Sequence, residues 1–311
     1  MARQSIQQSL IPVALEGITD NHTITAYKKD CKAFATFCRS EGIKTPDKLR
    51  EDPLGALQSY ERTLEAQHYS AQTIHRYLAA PAKALGVDMK DISKPRRTSG
   101  QITRGRDEEA NAQGRAEATQ ERFARLMEFQ SVVGIRRAEL GHLRGRDLCK
   151  DESGKWCVRV ESGKGGKEQY QRILPEDLEV VARTFRGVDP DKAVFSEAEM
   201  KNKINLHGIR AEHARETYKY YLDKIQNDPD RAQELRLELV ARWKTAHPEG
   251  NAIKFQKIIT NRSPYRLRGE NRKKALAEGR PIEYNRLALM AVSVFHLSHW
   301  RLDVTATNYM V

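Results

Sequence analysis

Apolar residues in the early part of the chain recur with a helical period. Between Thr19 and Arg39 they return at alternating steps of three and four residues, which places them on one face of an amphipathic helix. These residues are Ile24, Tyr27, Cys31, Phe34 and Cys38. Two further helical stretches follow, from about Pro53 to His68 and from about Ser70 to Leu85, with Ser70 as the N-cap. The first part of the chain is therefore predicted to be a small helical bundle.

The hydrophobic pattern of the later part mixes two periods. A helix from about Ala118 to Val133 precedes two strand-like runs, WCVRVE and QYQRILP, which flank SGKGGKE and predict an antiparallel hairpin. Helices resume at about Leu178 to Phe185 and at about Leu206 to Lys224. Leu287 to Leu297 is apolar nearly all round, which is typical of a buried helix. The predicted fold class is therefore mainly α with a small antiparallel β-sheet.

The length of the chain and one unusual segment predict where its domains divide. The 311 residues exceed one typical compact core, so two domains are expected. From Lys94 to Arg106 the segment KPRRTSGQITRGR carries five basic residues and no acidic one, and its Pro, Gly, Ser and Thr interrupt any periodicity. We predict a helical domain over 1–93, a basic linker over 94–117 and a second domain over 118–311, with an insertion over 228–282.

The charge of the chain favours a polyanionic partner. A net charge of +12 suits nucleic acid, because each phosphate neutralised by Lys or Arg releases condensed counterions, although anionic membranes and acidic proteins also attract basic chains. Within the polar insertion, Lys254 to Arg280 holds nine basic residues against two Glu. Both basic segments are interpreted as DNA-facing; the alternatives are a solvated connector and a solvated helical excursion. The candidate phosphate contacts are Lys94, Arg96, Arg97, Arg104, Arg106, Lys254, Lys257, Arg266, Arg268, Arg272 and Lys273.

Several classes of protein and site are not favoured by the sequence. No run approaches the roughly 18 apolar residues of a membrane span, and the first residues lack a basic start followed by an apolar stretch, so we expect a cytoplasmic, nucleoid-associated protein without a membrane partner. We find no internal repeat, no glycine-rich phosphate loop and no zinc motif, and we expect neither a metal nor a cofactor. The four cysteines form no CxxC pair and are interpreted as buried thiols: Cys31, Cys38, Cys149 and Cys157.

Four short segments carry the residue types that phosphoryl transfer needs: a nucleophile, positive charge for the nonbridging oxygens and a proton donor for the leaving group. The first, Val133-Gly134-Ile135-Arg136-Arg137-Ala138-Glu139-Leu140, ends one predicted helix and begins the next. The second is the hairpin tip Gly163-Lys164-Gly165-Gly166-Lys167, where a lysine on a long stem suits the protonation of a leaving alkoxide. The first segment is alternatively an ordinary arginine pair at a turn. The second is alternatively a hairpin whose glycines only satisfy turn geometry.

The other two segments lie further along the chain. In His207-Gly208-Ile209-Arg210 the i and i+3 positions put an imidazole and a guanidinium on one helix face, and the planar guanidinium fits two phosphate oxygens. Leu297-Ser298-His299 precedes Tyr309 by about one short helix. A lone tyrosine is ordinarily a core or surface residue, so the order of the four segments gives Tyr309 its weight as a nucleophile.

In this order the four segments resemble the tyrosine recombinase and phage integrase family, of the lambda-integrase type. The resemblance covers essentially the whole chain and implies a core-binding (SAM-like) DNA-binding domain followed by a catalytic domain. It matches Arg136, Lys164, His207, Arg210, His299 and Tyr309 to the catalytic residues, with Lys167 as an alternative to Lys164. This chain differs from simple members in the long insertion between the HxxR segment and the closing segment.

The resemblance also implies an activity and partners. The expected activity is site-specific recombination or integration through a 3′-phosphotyrosyl intermediate, for a mobile element. Its partners would be double-stranded DNA with a specific recombination site, a homotetramer in the synaptic complex, and accessory directionality proteins. The alternatives are a type IB topoisomerase-like strand transferase and a catalytically silent DNA-binding protein. We expect the position of Tyr309 to depend on the buried helix at 287–297, on DNA or on neighbouring protomers.

Overall fold

The computed structural model describes residues 4–98, 108–163 and 166–311 of the chain. The chain divides into two compact units, Met1–Ile102 and Thr103–Val311. Helices make up most of both units, and the second unit also holds small antiparallel sheets. The predicted fold class, mainly α with a small antiparallel β-sheet, is confirmed.

The first unit is a bundle of helices around one apolar core. Asp20 caps the helix Asn21–Ser40, and Ser70, the N-cap that the sequence predicted, caps the helix Ala71–Leu85, so both predicted helices are confirmed. Phe34, Leu57 and Ile74 are among its fully buried side chains. The helices are α1 (Ile6–Leu15), α2 (Asn21–Ser40), α3 (Pro46–Glu51), α4 (Pro53–Ala66) and α5 (Ala71–Leu85).

The second unit begins with helices and a three-stranded sheet. Its strand order is β1-β2-β3, and the β2–β3 hairpin confirms the prediction from the two strand-like runs. The elements are α6 (Glu108–Ala118), α7 (Ala124–Val133), α8 (Arg137–Leu140), β1 (Leu148–Lys150), β2 (Trp156–Val160), β3 (Gln169–Arg172), α9 (Leu178–Phe185) and α10 (Glu197–Met200).

The unit continues with a long helix and the elements of the insertion. The predicted helix at 206–224 is confirmed and extends to Asn227. These elements are α11 (Leu206–Asn227), α12 (Pro229–Ala246), α13 (Ala252–Thr260), β4 (Tyr265–Arg266), α14 (Gly269–Ala277), β5 (Glu283–Tyr284), α15 (Arg286–Ala291), a π-helical turn (Val292–His296) and α16 (Leu302–Asn308).

The segment predicted as a linker contains a helix in its second half. Residues 108–118 form α6. Glu108 and Glu109 in its first turn and Arg115 near its end interact favourably with the helix dipole. Alanine and glutamate favour a helix here, whereas the proline and glycines of the first half do not. The segment predicted as a basic linker over 94–117 therefore includes a helix, and the predicted helix at 118–133 is observed as α7 preceded by a 3-10 turn.

Two apolar cores fill the second unit. One packs α7 and α9 against the three-stranded sheet, with Phe129, Val158 and Phe195 at its centre. The other gathers around α15, where α11, α12 and α13 all pack. Leu239, Phe255 and other residues of the insertion are buried there, so the insertion is an integral part of this core rather than a solvated excursion. The prediction that 287–297 is a buried helix is confirmed for α15 and the π-helical turn.

The cysteines are all free thiols. Cys31, Cys38 and Cys157 are buried as predicted, and burial raises the pKa of Cys31 to about 11 and that of Cys38 to about 12. Cys149 is only half-buried, since it lies on β1, the edge strand of the three-stranded sheet, which the sequence pattern did not predict. It pairs with Cys157 across the sheet, with 3.5 Å between the two sulfur atoms. Among the described residues, no helix has both the length and the apolarity needed to cross a bilayer.

Candidate active site

A buried glutamine holds the junction between α7 and α8. Gly134 ends α7 in a left-handed conformation with φ of 65°. Gln130 accepts a hydrogen bond from Ile135 N at 3.1 Å and donates to Ile135 O at 2.7 Å and to Leu206 O at 2.9 Å. Since Leu206 begins α11, this one side chain ties the turn that carries Arg136 to the helix that carries His207.

The two arginines of the junction have different roles in the fold. Arg136 is half-buried, and its Nη1 donates to Glu139 Oε1 at 2.6 Å and to Gln169 Oε1 at 3.4 Å. Arg137 instead donates to Asn202 Oδ1 and to two backbone carbonyls, one at the end of α10 and one just after it. The side chain of Glu139, 4% exposed, orients Arg136 and also accepts from its backbone N–H.

The predicted catalytic Lys164 lies outside the described residues. Its neighbour Gly163 is buried against the side chain of Gln169, the first residue of β3, so the base of the hairpin tip lies beside Arg136. Lys167, the alternative, is exposed, and its carbonyl accepts a hydrogen bond from Gly163 N at 2.9 Å.

The start of α11 presents the third segment. Asn205 caps the helix by accepting a hydrogen bond from Gly208 N at 3.0 Å. His207 is exposed, whereas Arg210, one turn later on the same face, is completely buried. The cap therefore fixes the first turn on which both residues stand.

The guanidinium of Arg210 joins two distant parts of the chain. It donates to Gly134 O and, at 3.0 Å, to Leu297 O, and its Nε has no hydrogen-bond partner among the residues described. Burial lowers the pKa of Arg210 from its ordinary value, the Tyr309 side chain opposes that shift, and Arg136 adds to it. Among the described residues, the carboxylate that acts on the charge of Arg210 is that of Glu139, which raises the pKa of the guanidinium and is itself paired with Arg136.

A strained turn carries His299. The π-helical turn leads into Ser298, whose φ of 50° is unusual for a residue with a side chain. Gln171 on β3 donates to Ser298 Oγ at 2.6 Å, and His299 N donates to Ser293 O at 2.8 Å. Neither ring nitrogen of His299 is exposed, and neither has a hydrogen-bond partner among the described residues.

Burial lowers the pKa of His299 to about 3, and the charges of Arg210, Arg136 and Arg301 act in the same direction. The imidazole is therefore neutral at pH 7.

Tyr309 lies at the end of α16 and contacts the other segments. It is 6% exposed, and its ring centroid lies 5.6 Å from that of His207 and 6.1 Å from that of His299. The guanidinium carbon of Arg210 lies 5.6 Å from the same ring. Arg215 on α11 donates to Tyr309 O at 3.4 Å and to Val311 O at 2.6 Å, which fixes the backbone around the tyrosine.

A cationic cavity lies beside these side chains. It has a volume of about 460 Å³, and Arg136, Arg137, Lys203, His207 and Arg210 contribute to its wall. No acidic residue is among the described side chains that line it. The chain therefore presents a concave surface with surplus positive charge next to a buried tyrosine.

No family model and no curated protein matches this chain. Among solved structures it is similar to the crystal structure of XerA recombinase, with 18% sequence identity and a TM-score of 0.26 over 89% of this chain and 98% of that chain. A likeness at this level carries no argument about function.

The predicted DNA contacts occupy different surroundings. Lys94 is half-buried, and its ammonium donates to Met89 O and Ile92 O within the first unit. Arg96 and Arg97 are exposed, and Arg104 and Arg106 lie outside the described residues. The exposed candidates in the insertion are Lys254, Lys257, Arg266, Arg268, Arg272 and Lys273.

We predict that Gly134→Ala destabilises the protein far more than Gly187→Ala. Both glycines have positive φ, 65° and 75°, which costs roughly 1–2 kcal/mol for alanine. A Cβ at Gly134 would also lie 2.6 Å from His213 Cδ2, whereas one at Gly187 would meet nothing within 4 Å. Overpacking of this kind adds about 1–3 kcal/mol.

Urea unfolding of both variants measures the difference, and His213→Ala in the Gly134→Ala background should recover part of it. Equal losses for Gly134→Ala and Gly187→Ala would contradict the steric explanation.

We predict that the protein loses stability as the pH falls below about 6.5. Burial lowers the pKa of His213 to about 4, that of His299 to about 3 and that of His296 well below its ordinary value. Below pH 6.5 the unfolded chain therefore binds protons that the folded chain does not, and each histidine costs roughly 1.4 kcal/mol per pH unit until its folded pKa is reached.

Urea unfolding of wild type and His299→Gln between pH 7.5 and 4 tests this prediction. The variant should show a smaller decline, by the equivalent of one proton. Parallel curves would show that His299 does not have this lowered pKa.

Proposed function

We propose that this protein cuts and rejoins DNA strands, as a site-specific recombinase that uses Tyr309 as its nucleophile. The observation that carries the proposal is the cationic cavity beside Tyr309, with Arg136 and Arg210 in its wall and no acidic residue among its described lining. The cavity wall therefore holds two guanidinium groups, and a phosphodiester is the kind of anion that such groups bind with charge-assisted hydrogen bonds.

In the proposed reaction the Tyr309 oxygen attacks the scissile phosphorus. A phosphotyrosyl bond forms at the 3′ side, and the bond from phosphorus to the 5′ oxygen breaks. His207 accepts or relays the tyrosine proton, and Lys164 protonates the leaving oxygen. Arg136, Arg210 and His299 stabilise the charge on the nonbridging oxygens. The step reverses when the 5′ hydroxyl of a partner strand attacks the phosphotyrosine.

The contacts of the site support this assignment of roles. His207 is exposed and its ring lies 5.6 Å from that of Tyr309, so it is able to exchange protons with both solvent and tyrosine. The two ring nitrogens of His299 are buried and have no hydrogen-bond partner among the described residues, and in the proposed reaction a bound phosphate accepts a hydrogen bond from one of them. Exchange between two DNA sites would require four protomers; this number comes from the family resemblance alone.

Trapping a covalent intermediate tests the proposal. The protein is incubated with a library of nicked duplexes of randomised sequence. Cleavage near the nick frees the short strand that carries the 5′ hydroxyl, and its loss prevents rejoining. Adducts that survive denaturation are digested, and mass spectrometry maps the attached nucleotide. We expect attachment at Tyr309. Binding without any adduct would instead support a silent DNA-binding protein, and attachment at another residue would refute the role of Tyr309.

We also propose that the insertion binds DNA phosphates, and predict that Lys254→Gln/Lys257→Gln on α13 weakens binding. Both lysines are exposed. Each lost phosphate contact should reduce the slope of log affinity against log salt by about 0.9. Anisotropy titrations over a salt series, with a duplex recovered from the trapping experiment, measure the slope.

Arg183→Gln/Arg186→Gln, at the end of α9 and just after it, is the matched control, because it removes the same charge from exposed residues that pair with Glu128 and Glu179. Equal slopes for the α13 variant and wild type would exclude direct phosphate contact by these lysines.

A further inference from the structure

The side chain next to His299 sits in an aromatic cluster built by the insertion. The cluster comprises Trp243 on α12, His247 just after it, Phe255 on α13, and Trp300. Trp243 stacks on His247 with 3.9 Å between centroids and on Phe255 with 4.5 Å. Trp300 stands edge-on to all three rings, at 5.1, 5.2 and 5.4 Å. Aromatic rings favour edge-to-face contacts of this kind, so the three rings fix the position of the indole.

The backbone around His299 is held on both sides, but its ring is not held by hydrogen bonds. Leu297 O accepts from Arg210, and Ser298 Oγ accepts from Gln171. After the histidine, Arg301 O accepts from Ser293 Oγ at 3.2 Å. The ring nitrogens have no hydrogen-bond partner among the described residues. The orientation of the imidazole must therefore come from packing and from the backbone that Trp300 holds in place.

We infer that Trp300 and the insertion rings that hold it position His299 for phosphoryl transfer. This inference rests on the proposed function and adds a role for α12 and α13, which are then part of the support of the active site as well as a surface for DNA. Trp300 is a positioning residue, since its contacts in the structure run to Trp243, His247 and Phe255. A displacement of about 1 Å at a catalytic group is enough to cost on the order of 100-fold in rate.

A double-mutant cycle on adduct formation tests the inference. Single-turnover rates at saturating DNA are compared for wild type, Trp300→Ala, His299→Ala and the double variant. We expect Trp300→Ala to slow the step roughly 10- to 100-fold with little change in DNA affinity, and Trp300→Phe to recover most of the rate. In the His299→Ala background Trp300→Ala should have little further effect. Rate losses that multiply would mean that Trp300 acts independently of His299, which would overturn the inference.

Loss of stability alone is controlled by Val181→Ala on α9, which creates a buried gap in the other core of the second unit. This variant should lower the unfolding free energy without slowing the adduct step. If Val181→Ala slows the step as much as Trp300→Ala does, a general loss of stability explains both, and the inference fails.

A second readout does not depend on catalysis. Diethyl pyrocarbonate modifies accessible imidazoles, and peptide mass spectrometry compares His299 with the exposed His207 in the same sample. We expect His299 to be protected in wild type and to react several-fold faster in Trp300→Ala. If wild type forms no adduct, the proposed function fails, while this comparison still decides whether Trp300 holds the His299 ring. Unchanged protection of His299 in Trp300→Ala would overturn the inference.

Discussion

Tyr309→Phe should abolish the covalent protein–DNA adduct while leaving DNA binding and folding nearly unchanged. Phenylalanine keeps the ring that packs against His207 and His299 and beside the Arg210 guanidinium, so these neighbours keep their packing. The variant lacks only the attacking oxygen. Removal of a nucleophile typically costs on the order of 10⁴- to 10⁶-fold in rate. Adduct yield on denaturing gels and binding by anisotropy, on the same duplex, separate the two effects.

The matched control for this variant is Tyr284→Phe. Tyr284 is 5% exposed, and its hydroxyl donates to Pro281 O at 3.0 Å, so the change also removes one hydroxyl from a buried tyrosine of the same core. We expect this variant to form adduct at close to the wild-type rate. An adduct formed by Tyr309→Phe would refute the mechanism, since no other hydroxyl is assigned to the attack.

Arg210→Lys should slow adduct formation by on the order of 10²- to 10³-fold, the usual cost of removing one donor that stabilises transition-state charge. Lysine keeps the positive charge but lacks the fork that reaches Gly134 O and Leu297 O together. Arg210→Met removes the charge as well and should be slower still. Its stability should change little, because two unpaired carbonyls are offset by removal of a costly buried charge.

Arg125→Met is the control for loss of a bridging arginine. Arg125 also reaches backbone carbonyls, at Val194 and Thr184, and pairs with Glu199, but it is not part of the cavity wall. It should lose stability without a selective loss of adduct rate. If Arg210→Met forms adduct at the wild-type rate per folded molecule, Arg210 serves only to join α7 to the closing segment.

Much of the secondary structure follows from local pattern. The face formed by Phe34 and Cys38 predicted α2, and the two strand-like runs predicted the β2–β3 hairpin, because period and turn residues are local properties. Strand β1 has only three residues and no period to detect. The sequence of the insertion reads as polar because its charged residues outnumber its apolar ones. Leu235 and Leu239, four residues apart on α12, nevertheless form a stripe that faces the core.

The segments of the site were predicted from residue type and order, but their support was not. Gln130, Gln171 and Arg215 act on backbone groups and side chains far away in the chain. The sequence around a glutamine or an arginine does not indicate which distant group its side chain will hydrogen-bond, because tertiary packing sets that partner. Likewise, nothing in the sequence around Trp300 indicates that rings of the insertion surround it. The expectation that the buried helix at 287–297 supports Tyr309 stays a prediction, with Arg215 as a second support.

The position of Tyr309 has a consequence during protein synthesis. Tyr309, the proposed nucleophile, follows every other candidate catalytic residue in the chain, and its ring lies beside Arg210, whose guanidinium joins Gly134 O to Leu297 O. A ribosome therefore adds every described residue of the cavity wall before it adds the tyrosine. Under the proposed function, shortened products that end before Tyr309 would compete for DNA without cutting it, and in a mixed assembly they would act as poison subunits.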